Sequence, residues 1–248
     1  MDALLEQTFL AEQRHFWFRG FKRFVDPLIR EATAGIDRPR LLDAGCGTGA
    51  NLQFLERYGV PFGVELFWRG LQFARSRGMT RTTRGSVTDL PFKGSSIDVV
   101  LSFDVLYCLH PPQEAAAIAE MLRVLKPGGS AVINVAALQF LKGDHSVLGG
   151  EVHRYTKPEL RSKLTAAGFR VRRITYTNAS LLPITAAVRA FQRARGVAKP
   201  GESIGDFRVP PAPVNSAFAA LLAVESRLIR AGLDMPLGSS VLCLARKE

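Results

Sequence analysis

The sequence has little of what several classes of protein depend on. Its three cysteines stand far apart and include no CxxC pair, so neither a disulfide framework nor a zinc knuckle is indicated. There are only four histidines, and no group of carboxylates resembles a divalent-metal site, so we predict no bound metal. The chain also lacks the roughly 18 consecutive apolar residues of a membrane-spanning helix, and its N-terminus lacks an apolar signal region. We therefore expect a soluble, cytoplasmic protein.

Acidic residues are few beside basic ones. The formal net charge is +11, from 33 Lys and Arg against 22 Asp and Glu. The excess is concentrated between Arg154 and Arg208, where twelve basic residues accompany three acidic ones. No RNA-binding or helix-turn-helix signature accompanies this segment, and a solvated basic face explains it equally well. We therefore do not expect nucleic acid as a partner.

The chain does have the pattern of a doubly wound α/β protein. Hydrophobic residues make up 47% of it, and short β-type runs alternate with helical stretches, which is typical of a Rossmann-like, mostly parallel sheet flanked by helices. We predict seven strands, at 40–43, 60–65, 80–86, 97–103, 130–135, 169–177 and 240–245. We predict helices between them, including those at 68–77, 114–125 and 158–167, and a LysProGlyGly sequence is expected to stop the helix at 114–125.

We predict one domain over residues 1–248 with two helical additions. Residues 1–37 form an N-terminal cap of two helices, the second of which Pro27 is expected to bend or restart. Residues 178–238 form a helical insertion, because the last strand has to return to the same sheet.

The insertion combines apolar and basic residues. They are Leu181, Leu182, Ile184, Val188 and Phe191, with Arg189, Arg193, Arg195 and Lys199. Two interpretations stay open. The apolar residues cover the active site or a subunit partner while the arginines are solvated, or the helix makes a peripheral contact with an anionic membrane.

A glycine-rich turn follows the first predicted strand in the sequence LLDAGCGTGA. Gly45, Gly47 and Gly49 form GxGxG, which lacks the last spacing of the dinucleotide fingerprint, so a pyrophosphate site is disfavoured. Asp43 precedes the turn and places a carboxylate where a cationic amino group can bind. Glu65 ends the second strand, at the position from which a carboxylate accepts hydrogen bonds from ribose hydroxyls.

At these residues the sequence closely resembles the class I S-adenosylmethionine-dependent methyltransferases, in particular the type 11-like enzymes that act on small molecules. The resemblance covers residues 38–177 and the final strand. It rests on five elements in order: LLDAGCGTG, the acid at Glu65, LPFKGSSIDVVLSFDVLYCL, MLRVLKPGG and TKPELRSKLTAAGF. It implies a seven-stranded sheet with an antiparallel last strand, helices at the N-terminus, and S-adenosyl-L-methionine bound across the carboxyl ends of strands one, two and four.

The resemblance also implies which residues hold this cofactor. Asp43 and the glycine turn, including Cys46, hold the methionine part, Glu65 the ribose, and Leu66 one face of the adenine. The acid often found in the family after strand three is Ser86 here, so Ser86 and the Val87 backbone take its place. Further cofactor-binding candidates are Phe103, Tyr107, Trp17 and Arg19. For Trp17 and Tyr107 core packing is the alternative, and for Arg19 a surface role.

The catalytic candidate is His153, in the loop after strand five. Methyl transfer is an in-line displacement, in which positioning contributes about 7 to 11 kcal/mol and a base about 10² to 10⁴ in rate. A base is needed only where the acceptor loses a proton, and a structural histidine is the alternative. We favour O-methylation of a small-molecule acceptor, since a histidine is available to remove a proton, and nitrogen and carbon acceptors stay open. The alternatives are a non-catalytic protein of this fold that binds cofactor or a partner, and an RNA methyltransferase suggested by charge alone.

Overall fold

The predicted strands form one seven-stranded sheet in a computed structural model that describes residues 2–196 and 208–248. The strands are β1 Arg40–Ala44, β2 Val60–Glu65, β3 Thr82–Arg84, β4 Ile97–Phe103, β5 Leu125–Ala136, β6 Phe169–Thr177 and β7 Ser240–Lys247. Their order is β3-β2-β1-β4-β5-β7-β6, and β7 pairs antiparallel with both β5 and β6 while the other pairs are parallel. The Rossmann-like sheet and its antiparallel last strand are confirmed.

The helices lie on both faces of this sheet. They are α1 Asp2–Ala11, α2 Phe16–Thr33, α3 Ala50–Leu55, α4 Trp68–Ser76, α5 Pro111–Val124, α6 Asp144–Leu148, α7 Lys157–Ala166, α8 Leu182–Ala194 and α9 Ala212–Arg230. Helix α2 runs through Pro27, so the expected restart there is wrong. Buried Phe24, Val25, Leu28 and Ile29 fix the helix on both sides of the proline, and this packing outweighs the lost hydrogen bond. Lys199, a member of the predicted basic set, lies outside the described residues.

The predicted end of the helix before the LysProGlyGly sequence is confirmed, but the predicted start of the next strand at residue 130 is wrong. Helix α5 ends at Val124, and residues 126–129 already belong to β5. Leu125 pairs with Ile97 of β4, and the register then shifts before Val99 pairs with Ser130. Pairing with the neighbouring strand therefore overrides the local preference of proline and glycine for a loop.

The core has two layers, one on each face of the sheet. Helices α5 and α7 cover one face, and α2 covers the other together with α9 of the insertion. A side chain on Gly20 of α2 would come within 2.4 Å of the Leu222 side chain of α9, so these two helices are in close contact. The helices that the structure describes include none with the length and hydropathy needed to cross a bilayer.

Candidate functional site

The site begins where β1 ends, with the buried acid Asp43. The Asp43 side chain is fully buried, and neither of its carboxylate oxygens has a hydrogen-bond partner among the described residues. Burial raises the pKa of Asp43 to about 7, and the negative charge of Glu65 contributes to the same increase. An unpaired buried carboxylate is costly, so this position fits a ligand that brings a cationic or hydrogen-bond-donating group.

The glycine turn after Asp43 needs its glycines for two reasons. Gly45 has a φ of +95°, and a Cβ there would lie 2.4 Å from the Val105 side chain that follows β4. Gly49 has a φ of +79°, precedes the first residue of α3 and lies against Ala74 of α4. A side chain at either position would be strained and would also clash. Cys46 between them packs its side chain in a small core cluster with Leu52, and its N–H donates to the Val64 carbonyl at 2.9 Å.

Glu65 at the end of β2 holds this turn in place. One carboxylate oxygen accepts from the Gly47 N–H at 2.8 Å and the other from the Phe67 N–H at 2.9 Å. Burial raises the pKa of Glu65, and these backbone hydrogen bonds lower it in part. Each oxygen keeps a further lone pair for a ligand hydroxyl. The structure thus brings Asp43, the glycine turn and Glu65 together, as the sequence pattern predicts.

The other candidates near Glu65 lie on its two sides. Leu66 is 52% exposed, and its carbonyl accepts a hydrogen bond from Arg84 at the end of β3. The Ser86 hydroxyl bonds to the Thr88 hydroxyl at 2.7 Å and accepts from the Thr88 N–H, while Val87 packs partly against the core. The Ser86 side chain is therefore engaged in its own turn.

The aromatic candidates form a stack between α2 and the sheet. Trp17 stacks on Phe21 with ring centroids 5.6 Å apart, and Phe21 meets Phe103 edge to face at 5.0 Å. Phe103 is buried in this cluster, Trp17 is half-buried, and Arg19 is exposed. Helix α1, rather than α2, lies over the glycine turn: the Leu5 side chain is 4.0 Å from where a Cβ on Gly47 would be.

The end of α1 is fastened to the turn by residues that the sequence did not reveal. The Thr48 hydroxyl donates to the buried Glu12 carboxylate at 2.7 and 2.8 Å, and the Arg77 guanidinium forms an ion pair with the same carboxylate. Burial raises the pKa of Glu12, and these two partners lower it in part. Thr48 and Arg77 lie 36 and 65 residues from Glu12, and no local pattern signals contacts over such separations.

A second, half-buried acid was also missed. Asp104 directly follows β4 with a φ of +61°, a conformation that few residues other than glycine adopt. Its carboxylate accepts from the Asn134 side-chain amide at 2.9 Å, and its N–H donates to the Asn134 carbonyl at 3.0 Å. Burial raises its pKa to about 7. The acid in SFDV could have been found from its place at the carboxyl end of a fully buried strand.

His153 lies at the same edge of the sheet but turns its side chain toward α7. The Tyr107 carbonyl accepts hydrogen bonds from the Val152 and His153 N–H groups, which attaches the loop to the end of β4. The His153 Nε2 atom lies 2.7 Å from a Glu159 carboxylate oxygen, and the ring meets Tyr155 edge to face. The structure therefore joins Tyr107 and His153 through the backbone and pairs the imidazole with a carboxylate.

Comparison with known proteins agrees with this geometry. Residues 42–133 match a family described as a methyltransferase domain. They include the glycine turn, Glu65 and the carboxyl end of β4. This matched segment, which is less than half of the chain, is thus similar to a methyltransferase domain.

Three curated relatives show the extent of the sequence likeness. A putative methyltransferase of Encephalitozoon cuniculi is 34% identical over 130 residues, which are 52% of this chain and 57% of that protein. The phthiotriol/phenolphthiotriol dimycocerosates methyltransferase of Mycobacterium leprae is 32% identical over 36% of this chain and 35% of its own length. The fatty-acid O-methyltransferase of Mycolicibacterium smegmatis is 32% identical over 40% and 37%. The chain thus spans about a third to somewhat more than half of the length of these curated relatives.

Solved structures share the fold over most of the chain. An S-adenosylmethionine-dependent methyltransferase from Mesorhizobium loti superposes with a TM-score of 0.58 at 16% identity, covering 90% of this chain and 97% of that one. A geranyl diphosphate methyltransferase in complex with GPP and sinefungin gives a TM-score of 0.56 at 15% identity, covering 89% and 76%. Their agreement extends the class I methyltransferase fold beyond residues 42–133.

Proposed function

We propose that this protein transfers a methyl group from S-adenosylmethionine to a small-molecule acceptor. The observation that carries the proposal is the buried, unpartnered Asp43 carboxylate between the glycine turn and Glu65. A cationic amino group on the cofactor would provide the partner that this carboxylate lacks among the described residues. Residues 1–37 and 178–238 are then additions to one methyltransferase domain.

The residues present fit this cofactor in several places. Asp43 and the backbone of the glycine turn would hold its methionine part, and Glu65 its ribose. Leu66 would lie against the adenine, with the Val87 backbone in place of an acidic side chain. When bound, S-adenosylmethionine supplies a methyl group activated by a positively charged sulfur.

Other candidate residues would line the remaining sides of this cofactor. They are Cys46 through its backbone, Ser86, Phe103, Tyr107, Trp17 and Arg19. Arg19 is exposed and would approach the carboxylate of the cofactor. Phe103 and Trp17 pack in the aromatic cluster and would form an apolar wall beside the cofactor.

The acceptor is proposed to be an apolar molecule with an oxygen nucleophile. Two relatives are named for a fatty-acid substrate and for phthiotriol dimycocerosates, and a neighbour holds geranyl diphosphate. His153, paired with Glu159, would accept the hydroxyl proton while Asp104 and Tyr107 border the acceptor. Since such an acceptor resides in lipid, we also propose that the insertion contacts an anionic membrane.

The cofactor assignment predicts a loss of affinity when Glu65 is replaced. Glu65→Ala removes a charged acceptor and frees the Gly47 N–H, and each hydrogen bond to a charged group contributes roughly 1.5 to 3 kcal/mol. Calorimetry with S-adenosylhomocysteine should show at least about tenfold weaker binding. Exposed Glu56→Ala, just after the last residue of α3, serves as the control and should bind normally. Unchanged affinity at Glu65, or tighter binding of a dinucleotide, would overturn the assignment.

The acceptor class can be measured directly. The purified protein is incubated with methyl-labelled S-adenosylmethionine and fractionated cell extract. We expect label in the organic, lipid-containing fraction. Label in RNA would instead support nucleic-acid methylation, and cofactor binding with no label in any fraction would support a non-catalytic role.

A further inference from the structure

Helix α8 of the insertion is placed with its polar face inward. Arg189 and Gln192 are buried, at 7% and 8% exposure, and their side chains hydrogen-bond to each other at 2.8 Å. Ile184, Val188 and Phe191 form a stripe at helical spacing and are 46%, 44% and 66% exposed. An ordinary surface helix has the opposite arrangement. The expectation that all the arginines of this helix are solvated is therefore wrong for Arg189.

The loop that packs beneath α8 explains why the polar side of this helix faces inward. Arg189 and Gln192 contact Gly143, where an added Cβ would come within 2.5 Å of both side chains. The Asp144 N–H also donates to the Gln192 side-chain oxygen. The loop after β5 thus offers backbone polar groups, which the polar side of α8 satisfies, and the apolar side is left facing outward.

The exposed stripe continues onto this loop. Phe140, in a short turn at 139–141, is 55% exposed. The Arg193 guanidinium donates to the carbonyls of Phe140 and Lys142, which holds the turn beside α8. Because the turn follows β5, this surface lies at the sheet edge that also carries Asp43 and Asp104. We call Phe140, Ile184, Val188 and Phe191 the apolar face.

The charge around the apolar face favours an anionic partner. Residues 139–148 and 182–196 contain four Lys and Arg and one acidic residue, Asp144. Asp144 is buried and paired with Arg195 at 2.8 Å, and Arg189 is buried as well, so the positive charge that faces outward is that of Arg193 and Lys142. Arg193 is exposed and donates to carbonyl groups, so these hydrogen bonds leave its positive charge unneutralised. Apolar groups bordered by cations suit the interface of an anionic bilayer.

We propose that the apolar face docks this protein on the surface of an anionic membrane. Ile184, Val188, Phe191 and Phe140 enter the boundary between headgroups and acyl chains, while Arg193 and Lys142 meet the lipid phosphates. The docked face lies at the edge of the sheet that carries the site, so a lipid-soluble acceptor can reach the site without crossing water. The delivery of a lipid-soluble acceptor to the site rests on the proposed function, whereas the binding of the apolar face to the membrane does not.

Co-sedimentation of the full chain with vesicles tests the docking. We expect binding to vesicles of equal phosphatidylglycerol and phosphatidylcholine, little binding to phosphatidylcholine alone, and weakening by salt. Phe191→Glu should reduce partitioning by about tenfold or more, because it replaces a membrane-inserted aromatic ring with a charge. Arg193→Glu should reduce it by about fivefold or more, since each cation near the surface contributes to binding.

Val224→Glu is the matched control. Val224 is 54% exposed on α9, so its replacement adds the same charge to another apolar position. This variant should bind vesicles normally, and equal loss with Val224→Glu would overturn the assignment to the apolar face. Calorimetry with S-adenosylhomocysteine on each variant verifies the fold and tests the proposed function separately. Absence of vesicle binding at low salt, with a dimer that Phe191→Glu dissociates, would instead assign the face to a second copy of the chain.

Discussion

Replacing Asp43 by Asn should stabilise the free protein and weaken its binding of cofactor. The Asp43 carboxylate is fully buried without a partner among the described residues, and its pKa is raised from 3.8 to about 7. A shift of this size corresponds to a cost on the order of 4 kcal/mol for keeping the group ionised in the folded state. Asn removes the charge but leaves a buried amide, so we expect a gain of about 2 kcal/mol, or roughly 5 °C in melting temperature.

The gain in stability from Asp43→Asn should be larger at high pH than at low pH. The folded protein holds the Asp43 proton more tightly than the unfolded chain, so the wild type loses stability as pH rises from about 4 to about 7. The asparagine side chain of the variant does not titrate, and the advantage of Asp43→Asn should therefore be absent near pH 4 and complete above pH 7. Melting curves at pH 4.5 and pH 8 measure the difference.

The same substitution should weaken S-adenosylhomocysteine binding about a hundredfold at pH 8. The carboxylate would no longer pair with the ligand's amino group, and hydrogen bonds to charged groups contribute roughly 1.5 to 3 kcal/mol each. In the wild type, binding should weaken as pH falls below about 7, because the proton on Asp43 has to leave before the amino group can pair.

Asp98→Asn provides the contrast. Asp98 is also buried, but it accepts hydrogen bonds from Lys126 Nζ at 2.7 Å and from the Arg40 N–H at 2.9 Å. Its replacement should destabilise the protein and leave cofactor affinity unchanged. If Asp43→Asn also destabilises at pH 8, the Asp43 carboxylate is not an unpaired charge.

His153→Ala should lower turnover by about two to four orders of magnitude, the usual contribution of a positioned base. The imidazole is paired with Glu159 at 2.7 Å, and the His153 backbone N–H donates to the Tyr107 carbonyl beyond the end of β4. Affinity for S-adenosylhomocysteine should stay unchanged, because we propose that His153 acts on the acceptor and not on the cofactor. The rate of turnover with the identified acceptor is measured over a range of pH. Its acid limb, along which the rate falls as the proton-accepting group becomes protonated, should disappear in this variant.

Asp104→Asn is the comparison that separates two candidate bases. Asp104 lies half-buried just after β4 and its pKa is raised to about 7, so it is a candidate to accept a proton at neutral pH. We expect Asp104→Asn to retain the limb that His153→Ala loses. The opposite result would be an Asp104→Asn variant without turnover and a His153→Ala variant that is nearly as active as the wild type. That result would assign proton transfer to Asp104 and leave His153 a structural residue.

The sheet was predictable because most strands are marked by their own residues. The run IDVVLSF is buried on both faces and matches β4 residue for residue. β3 has only three residues, and the predicted 80–86 was too long because partly exposed threonines and arginine carry little hydrophobic signal. The start of β5 depended on pairing with Ile97, which a rule about proline and glycine cannot include.

The site was predictable where strand ends converge and not where distant helices meet. Asp43 and Glu65 end adjacent parallel strands, so their proximity follows from the topology. The contact of Glu12 with Thr48 depends on how α1 crosses the turn, which periodicity does not define. Periodicity likewise shows that α8 has two faces, but only the loop beneath it determines that Arg189 faces inward.

The attachment of α1 to Thr48 and Arg77 has a kinetic consequence. Since α1 lies over Gly47, we expect that a spent cofactor bound at this turn leaves when the Glu12 carboxylate releases its partners or the helix moves aside. We therefore expect this attachment to set the dwell time of the demethylated product more than its affinity. A slow release step of this kind would limit the steady-state rate while a first turnover on the enzyme stays fast.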